Sequence, residues 1–485
     1  MNSLASAPTI SIEKKAATRR VETRSQEPGR QNPKIAIVGG GPGGLMTAYL
    51  LQKKAGRALS ISVFEAADRL GGKILTPQFK MAPVNYEAGA AEFYDYSPVD
   101  EDPLKELIQE LGLPITKMGG NGVSLKGHWI GNLDDLEAHL GPGARQQWVR
   151  FHQQTRDRMT PLDFYLSGSE ESTPSPKVCD SRDSFAECLK SIESGELRHF
   201  IKTQIHSDLA TEPECTNVEY GLQNYVMNDP AYMQLFGIEG GNERLPQELV
   251  RRTRADFRLQ HRVHSIEKAE SGQFEICYSK DSDKQYEAFD YVVIALPHDA
   301  LPHVRFEGHR LQAAMQSHYE HYHHPAHYLR LTLLFRSPFW QGKLNDSYCM
   351  LDDFGGCCLY DESSRLVEPE FGVLGWLLGG TEAIEYSKLS DSQLFELALN
   401  SVPKFLGDAR PHFMEGRVHR WLNAVNAIPG GRTSRPIHQR HCPEPVDNRE
   451  LYVVGDYLYD ATLNGVLDSA DYVSSGIAAA VHFES

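Results

Sequence analysis

Residues 34–44, KIAIVGGGPGG, constrain what this 485-residue chain can fold into more than any other stretch. A short β-branched run enters a glycine-rich turn, and the apolar-periodic LMTAYLLQKK leaves it. ALSISVFE then reads as a second strand, so the chain starts with a βαβ unit. Gly39, Gly41 and Gly44 fit G-x-G-x-x-G, with Gly43 in the same turn. The first glycine makes the tight turn, the second lets backbone approach a pyrophosphate, and the third lets the helix close onto the strand. Free N–H groups at the helix N-terminus then favour a diphosphate. Glu65 ends the second strand about twenty residues on, where a carboxylate can accept from ribose hydroxyls. A glycine-rich turn alone implies no ligand. With the strand, the helix and the acid in place, a dinucleotide site is the expectation.

The rest of the chain narrows the class. At 485 residues it exceeds one ordinary core, and two domains are expected. A formal net charge of −16 argues against a general nucleic-acid binder or a protein held on anionic lipid. No apolar run approaches the roughly 18 residues of a membrane span. Eight cysteines are scattered without a CxxC pair, and Cys357-Cys358 are vicinal. A reduced, cytoplasmic chain is the simplest reading. Residues 1–32 read as a disordered leader; Glu13, Glu22 and Glu27 argue against a cleaved targeting peptide. LSGSEESTPSPK (166–177) reads as a mobile surface loop. Helical spacing is expected over 103–113 and 183–205, and strands within 257–296 and at 327–335. The segment from Arg449 onward reads as strand, glycine-containing loop and helix.

EAADRLGGK (65–73) resembles the E-x-x-x-R-x-G-G-[RK] continuation of the flavin-containing amine oxidase superfamily. VNYEAGAAEF (84–93), FGIEGGNERLPQEL (236–249), RVHSIEK (262–268), DYVVIALP (290–297) and VVGDYLYDATLNGVLDSADYVSSGIAAA (453–480) resemble its further segments in order. The resemblance spans about 33–482 and is strongest at the two ends. It implies an α/β fold with a discontinuous Rossmann-like FAD-binding domain and a mixed α+β substrate-binding domain. The first would come from 33–95, 232–300 and 440–485, the second from 96–231 and 301–439. Gly39, Gly41, Gly43 and Gly44 would cradle the FAD diphosphate, and Glu65 the adenosine ribose. Ala66, Arg69, Gly72, Lys73, Gly89 and Ala90 fall in the flavin-contact segments, Lys73 where many relatives carry an arginine. Val263 would hold adenine through its backbone. Gly455 and Asp456 fall on the ribityl phosphate side. Val466 and Leu467 would begin a helix aimed at the flavin N1/C2=O, where a helix N-terminus stabilises the anionic reduced ring.

RLTLLFRSPFW (330–340) resembles the family's strand ending in PFW. Counting back from Trp340 places Arg330 where many amine oxidases have a lysine near flavin N5. Arginine keeps its proton, so it cannot serve as a neutral base there. Glu92 stands near the position of an arginine that clamps the substrate carboxylate in several amino-acid oxidases; an acid suits a cationic amine better. Trp421 resembles an aromatic wall of the substrate site, with Tyr457 as a facing wall, and Arg432 or Arg435 as a substitute clamp. Arg432 follows Gly430-Gly431 where covalent relatives carry cysteine, so FAD is expected to be non-covalent. HYEHYHHPAHYLR (318–330) holds five histidines. Their spacing converges on no tetrahedral site and no metal is expected. His324 or His327 could instead reach the flavin, against the plainer reading of a polar connector into a strand. The favoured reaction is oxidation of a cationic amine or an amino acid, with hydride passing to flavin N5 and dioxygen taking the electrons as peroxide. The rival enzyme reading is a desaturase or dehydrogenase acting on C–C bonds. A non-catalytic escort protein for prenylated partners is the third. The expected partners are the small-molecule substrate and dioxygen, with a homodimer as an open alternative to a monomer.

Overall fold

The structure, a computed structural model, describes residues 32–166, 184–365, 369–428, 435–459 and 461–483. The leader, most of the 166–177 loop and Arg432 lie outside the described residues.

The chain enters β1 (Lys34–Val38), turns through the glycines into α1 (Pro42–Lys54) and returns in β2 (Ser60–Phe64). Pro42 opens α1, where its missing N–H is not needed, and Lys53 and Lys54 close it at the negative end of the helix dipole. Helix α2 (Gly195–Leu209) lies in the helical middle of the chain. The 183–205 stretch is two helices and not one, Phe185–Leu189 and α2, because Ser194 caps a fresh N-terminus by accepting from Leu197 N–H. Strands β3 (Asp256–Arg258) and β4 (Tyr291–Ile294) follow, then α3 (His309–Tyr322) and the long β5 (Pro325–Phe335). β6 (Cys357–Asp361), β7 (Gly372–Gly379), β8 (Phe413–Asn426), β9 (Leu451–Val453) and α4 (Leu463–Phe483) complete the frame.

Two sheets position the site. One is all parallel, in the order β9-β4-β1-β2-β3, so its strands come from well-separated parts of the chain. Residues 35–38 and 61–64 are buried, as strands covered on both faces require. Helix α4 packs beside α1 on this sheet, joined by Ser474 Oγ donating to Thr47 O at 3.3 Å. The other sheet has seven strands, with β5 paired to β7 on one side and β8 on the other. Alternation along β5 sorts its side chains. Leu329, Leu331 and Leu333 enter a core with Trp376 and Leu378, which leaves Tyr328, Arg330 and Thr332 for the other face.

The histidine-rich stretch is therefore divided. Residues 318–322 are the last turns of α3, His323 and His324 form the connector, and the remainder is β5. Pro325 explains the break, since the residue before a proline is pushed toward extended backbone.

Candidate active site

The β1–α1 turn is shaped by close approach. A Cβ on Gly44 would lie 2.0 Å from the Gly39 carbonyl oxygen, and one on Gly39 (φ +113°) would lie 2.4 Å from Ala295 O. Neither position admits a side chain. Gly41 differs: a Cβ there would meet only Gly72 Cα, at 3.8 Å, so the turn leaves free space over that residue. The α1 N-terminus has no side-chain cap and no acid in its first turn. Open space, unclaimed N–H groups and a positive helix end are what a diphosphate needs. Glu65 ties the turn together: Oε2 accepts from Gly40 N–H at 2.9 Å and Oε1 from Ala67 N–H at 2.7 Å. Arg69 donates to Gly72 O, which holds the following loop against the glycines. Ala66 is exposed beside it.

The carboxyl-terminal segment meets the same turn. A Cβ on Gly43 would lie 3.2 Å from Val454 and 3.6 Å from Val466. Gly455 N–H donates to Ser469 Oγ at 3.1 Å, and Asp456 pairs with Lys73 at 3.4 Å. Helix α4 starts at Leu463, three residues before Val466, so Val466 and Leu467 lie inside it as buried residues and do not begin it. The physical reason is Thr462, whose Oγ1 accepts from Gly465 N–H and starts the helix early. Val263 sits buried in the strand His261–Lys268, against the core around Phe64.

A cavity of about 170 Å³ brings together Lys73, Gly89, Ala90, Glu92, Arg330 and Trp421. The first residues of α4 line it as well. Arg330 is 1% exposed. Its Nε donates to Glu87 O at 2.6 Å, its Nη2 pairs with Glu362 at 2.6 Å, and its guanidinium lies 4.9 Å from the Tyr360 ring centre. Gly375 on β7 makes this possible, since a Cβ there would lie 2.7 Å from Glu362 Oε1 and 3.2 Å from Arg330 Nη2. Glu87 binds Arg365 at 3.3 Å, so two buried acids face one buried and one partly buried guanidinium. Burial first, opposed by Arg365, pushes the Glu87 carboxyl up to about 7.

Among the described residues lining the cavity, two buried side-chain atoms stay unsatisfied. Arg330 Nη1 and Glu92 Oε2 are shielded from solvent without a hydrogen-bond partner. Glu92 Oε1 accepts from Tyr360 O–H at 3.0 Å. Burial raises the Glu92 carboxyl above its usual range, with Arg330 pulling it partly back. Orphaned buried groups are rare enough to point to a missing partner. A donor and an acceptor facing one cavity, next to a helix N-terminus and the glycine cradle, fit a flavin ring with a polar substrate before it.

The other expected residues fall elsewhere. Trp421 donates from Nε1 to Ala88 O at 2.6 Å and forms a cavity wall, but Tyr457 does not face it. The Tyr457 ring is buried against His298, His318 and Tyr322. Tyr328, the neighbour of Trp421 in the β5–β8 register, lines the cavity instead. Neither His324 nor His327 lines the cavity. His327 Nδ1 accepts from Asn423 N–H at 3.2 Å and so holds a β-bulge in β8, where Asn423 has φ +57°. The bulge lies beside Ala424, whose carbonyl accepts from Lys73. His323 pairs with His298 at 2.9 Å, again away from the cavity. Arg435 contacts Ser317 and the Tyr322 ring. Among the described residues, the cluster that could hold a cation is His206, Glu212 and Glu382, in none of the stretches singled out from sequence.

Sequence reasoning missed Tyr94, Tyr328, Glu362 and Asp208. The first two were recoverable, since each lies two residues from a predicted site residue and so shares its face of an extended strand. No sequence signal connects Glu362 to Arg330 or Asp208 to Glu92.

Comparison with known proteins agrees with this arrangement. Residues 42–480 match the profile of the family described as flavin containing amine oxidoreductase. Prenylcysteine oxidase 1 of Rattus norvegicus is 27% identical over 308 residues, covering 56% of this chain and 57% of that protein. The chain thus spans a little over half the length of that relative. The flavin-dependent L-tryptophan oxidase RebO of Lentzea aerocolonigenes is 22% identical over 492 residues, covering 91% of this chain and 97% of that one. Among solved structures, cyclohexylamine oxidase from Brevibacterium oxydans aligns with TM-score 0.70 and 18% identity, over 93% of this chain and 100% of that one. A putrescine oxidase variant aligns with TM-score 0.71 and 18% identity. The fold is therefore the mixed α/β architecture of the FAD-dependent amine oxidases, with a Rossmann-type parallel sheet. Across most of its length, this chain belongs to the flavin containing amine oxidoreductase family.

Proposed function

We propose that the chain is an FAD-dependent oxidase of small cationic amines. The observation that carries this reading is the Glu92 carboxylate, with one oxygen unpartnered, in the cavity shared by Trp421, Arg330 and the start of α4. When bound, the flavin supplies the acceptor for hydride from the amine α-carbon, which leaves an imine for water to hydrolyse, and it passes the two electrons to dioxygen as peroxide.

This chain's residues supply position and field. Gly41 and the α1 N-terminus would hold the diphosphate, and Glu65 would accept from the adenosine ribose. The first turn of α4 and Arg330 Nη1 present donors to the ring. Trp421 and Tyr328 offer the substrate aromatic lining. Glu92 accepts from the substrate ammonium, which replaces the partner its Oε2 lacks. Its raised proton affinity also suits it to take the proton an ammonium must lose before its carbon can surrender hydride. Binding of the flavin is non-covalent in this reading, which fits a cavity whose described lining residues include no cysteine. The seven described cysteines are free thiols, which supports a reducing, cytoplasmic setting.

One observation favours a dehydrogenase instead. Arg330 is locked to Glu362, so the cavity holds a permanent cation where a neutral amine could otherwise assist reaction with dioxygen. A panel of amines and amino acids, scored for anaerobic flavin bleaching and for peroxide on return to air, tests both. Bleaching by amines with peroxide supports the oxidase. Bleaching without peroxide moves the chain to the dehydrogenase reading, and bleaching by neither substrate class removes the proposal.

A further inference from the structure

Where α2 ends, it meets the end of β7 at three side chains that the proposed oxidation does not use. His206 stands in the last turn of α2, Glu212 follows that helix, and Glu382 lies in the first turn of helix Gly380–Ser387, into which β7 runs. None of the three lines the flavin cavity, and none belongs to the histidine-rich stretch. His206 is 3% exposed, while each glutamate side chain is 33% exposed, so the group is anchored in the core and open to solvent on one side. Glycines let the backbone close around it. A Cβ on Gly380 (φ +60°) would lie 2.6 Å from Glu212 Oε1 and 3.2 Å from His206 Nε2, and one on Gly355 (φ +73°) would lie 2.6 Å from the Glu382 carboxyl carbon.

The polar atoms of this group do not complement one another. His206 Nδ1 lies 3.1 Å from Gly356 O. A carbonyl oxygen only accepts, so Nδ1 carries a proton, and in the neutral ring Nε2 presents its lone pair. That lone pair faces further acceptors: Glu212 Oε1 at 3.2 Å and Oε2 at 3.3 Å, and Glu382 Oε2 at 3.7 Å. Thr381 N–H donates to Glu212 Oε1 at 3.0 Å and fixes that carboxylate in place. Among the described residues, neither glutamate pairs with a lysine or an arginine. A proton on Nε2 reaches one carboxylate and leaves the group with one negative charge in excess. A divalent cation neutralises both carboxylates and meets all three lone pairs at once.

We propose that His206 Nε2, Glu212 and Glu382 bind one divalent transition-metal ion, zinc by the chemistry of the donors, with water completing its shell on the exposed side. One imidazole and two carboxylates are a donor set that zinc takes. Donor atoms around a tetrahedral zinc stand about 3.4 Å apart, and the 3.2 Å and 3.7 Å separations from Nε2 lie on either side of that spacing. Metal-bound histidines characteristically donate their other ring N–H to a carbonyl or carboxylate, as Nδ1 does here. The ion acts as a clamp and takes part in no redox step. It fastens the end of α2 to the end of β7, where Gly379 is the register partner of Tyr328, a residue of the cavity lining. The site stands apart from the amine-oxidase reading and does not depend on the substrate.

The test uses the flavin-loaded full chain, without an affinity tag and stripped by a chelator. Zinc is titrated by calorimetry into the wild type, Glu382→Gln and His206→Gln, and Tm is recorded for each with and without zinc. The wild type is expected to bind one zinc per chain and to gain Tm. Loss of a partner to a metal ligand typically costs 10–100-fold in affinity, so loss of a ligand should cost about a hundredfold or more. Glu382→Gln should lose zinc affinity to that extent while its zinc-free Tm matches the wild type's, because the contact of His206 with Glu212 remains. No zinc uptake by the wild type overturns the site and leaves an imidazolium–carboxylate pair. Uptake that both variants leave unchanged means an adventitious ion only, which overturns it as well. Zinc-edge anomalous scattering from wild-type crystals needs no variant: a peak between the three side chains supports the site, and peaks found only elsewhere overturn it.

Discussion

The glycine turn and the buried cavity are built on opposite principles. Between β1 and α1, the contacts that shape the turn itself join residues near one another in sequence: Gly44 closes onto Gly39 O, and Glu65 accepts from Gly40 and Ala67. The cavity is assembled from residues hundreds of positions apart, such as Glu87 with Arg330 and Glu92 with Tyr360. The first region depends on backbone sterics and the second on the balance of enclosed charge. Their failures should therefore differ in kind, and each of the following experiments probes that difference.

The largest effect is expected from Gly44→Ala. Its Cβ would meet backbone at 2.0 Å, which no rotamer relieves, so both fold and flavin should be lost. Gly41→Ala, three residues earlier, has room and should change Tm little while flavin content falls. Equal Tm losses in the two variants would show that Gly41 also has a packing duty, and that the cradle reading is mistaken.

Glu362→Ala should come next. It strands the Arg330 guanidinium, and breaking one partner of a buried pair costs about 3–5 kcal/mol. Denaturant titration reads this directly. The double variant with Arg330→Met should recover much of the loss, because the uncompensated charge is then gone. No recovery would mean that shape, not charge, governs this part of the molecule.

A pH series gives a smaller effect. Burial, helped by Glu92, raises Asp208 to about 7, and burial raises Glu87 to about 7. The folded chain therefore keeps protons that the unfolded chain releases above the ordinary carboxylate range. Stability contributed by these groups falls as pH rises from about 4 to about 7 and levels beyond it. Asp208→Asn should flatten part of that slope in Tm measurements, and a slope identical to the wild type's would deny the burial of its charge.

Lys73→Met should be the mildest. The ammonium is about a third exposed and its pair with Asp456 spans 3.4 Å, so roughly 1 kcal/mol or less is at stake. Flavin affinity should fall more than stability does, since Lys73 lines the cavity and also braces the β8 bulge through Ala424 O. A stability loss exceeding the affinity loss would make it a strut between the two regions and nothing more.

How far the sequence could be read follows the same division. The βαβ start, the glycine roles and the late strand–loop–helix are local patterns, so length, periodicity and spacing carried them. Arg330 and Glu92 stood out only as departures at positions the family resemblance had marked. The place of Tyr457 just after Asp456 suggests a facing wall, but proximity along the chain says nothing about direction; its ring turns into the core with His298 and His318. The histidines attracted notice by number, yet His327 braces a bulge and His323 pairs with His298. Asp208 left no trace, because a single acid in the last turn of an amphipathic helix resembles any solvated residue.

By itself the sequence determined the dinucleotide cradle, the parallel sheet around it and the family, because those rest on short-range sterics that each glycine and each buried strand residue must satisfy locally. Only the tertiary structure decided which charges face one another. Electrostatic partners need proximity in space and no particular spacing along the chain, so the pairings of Arg330 with Glu362 and of Arg365 with Glu87 became visible only once the strands were packed together.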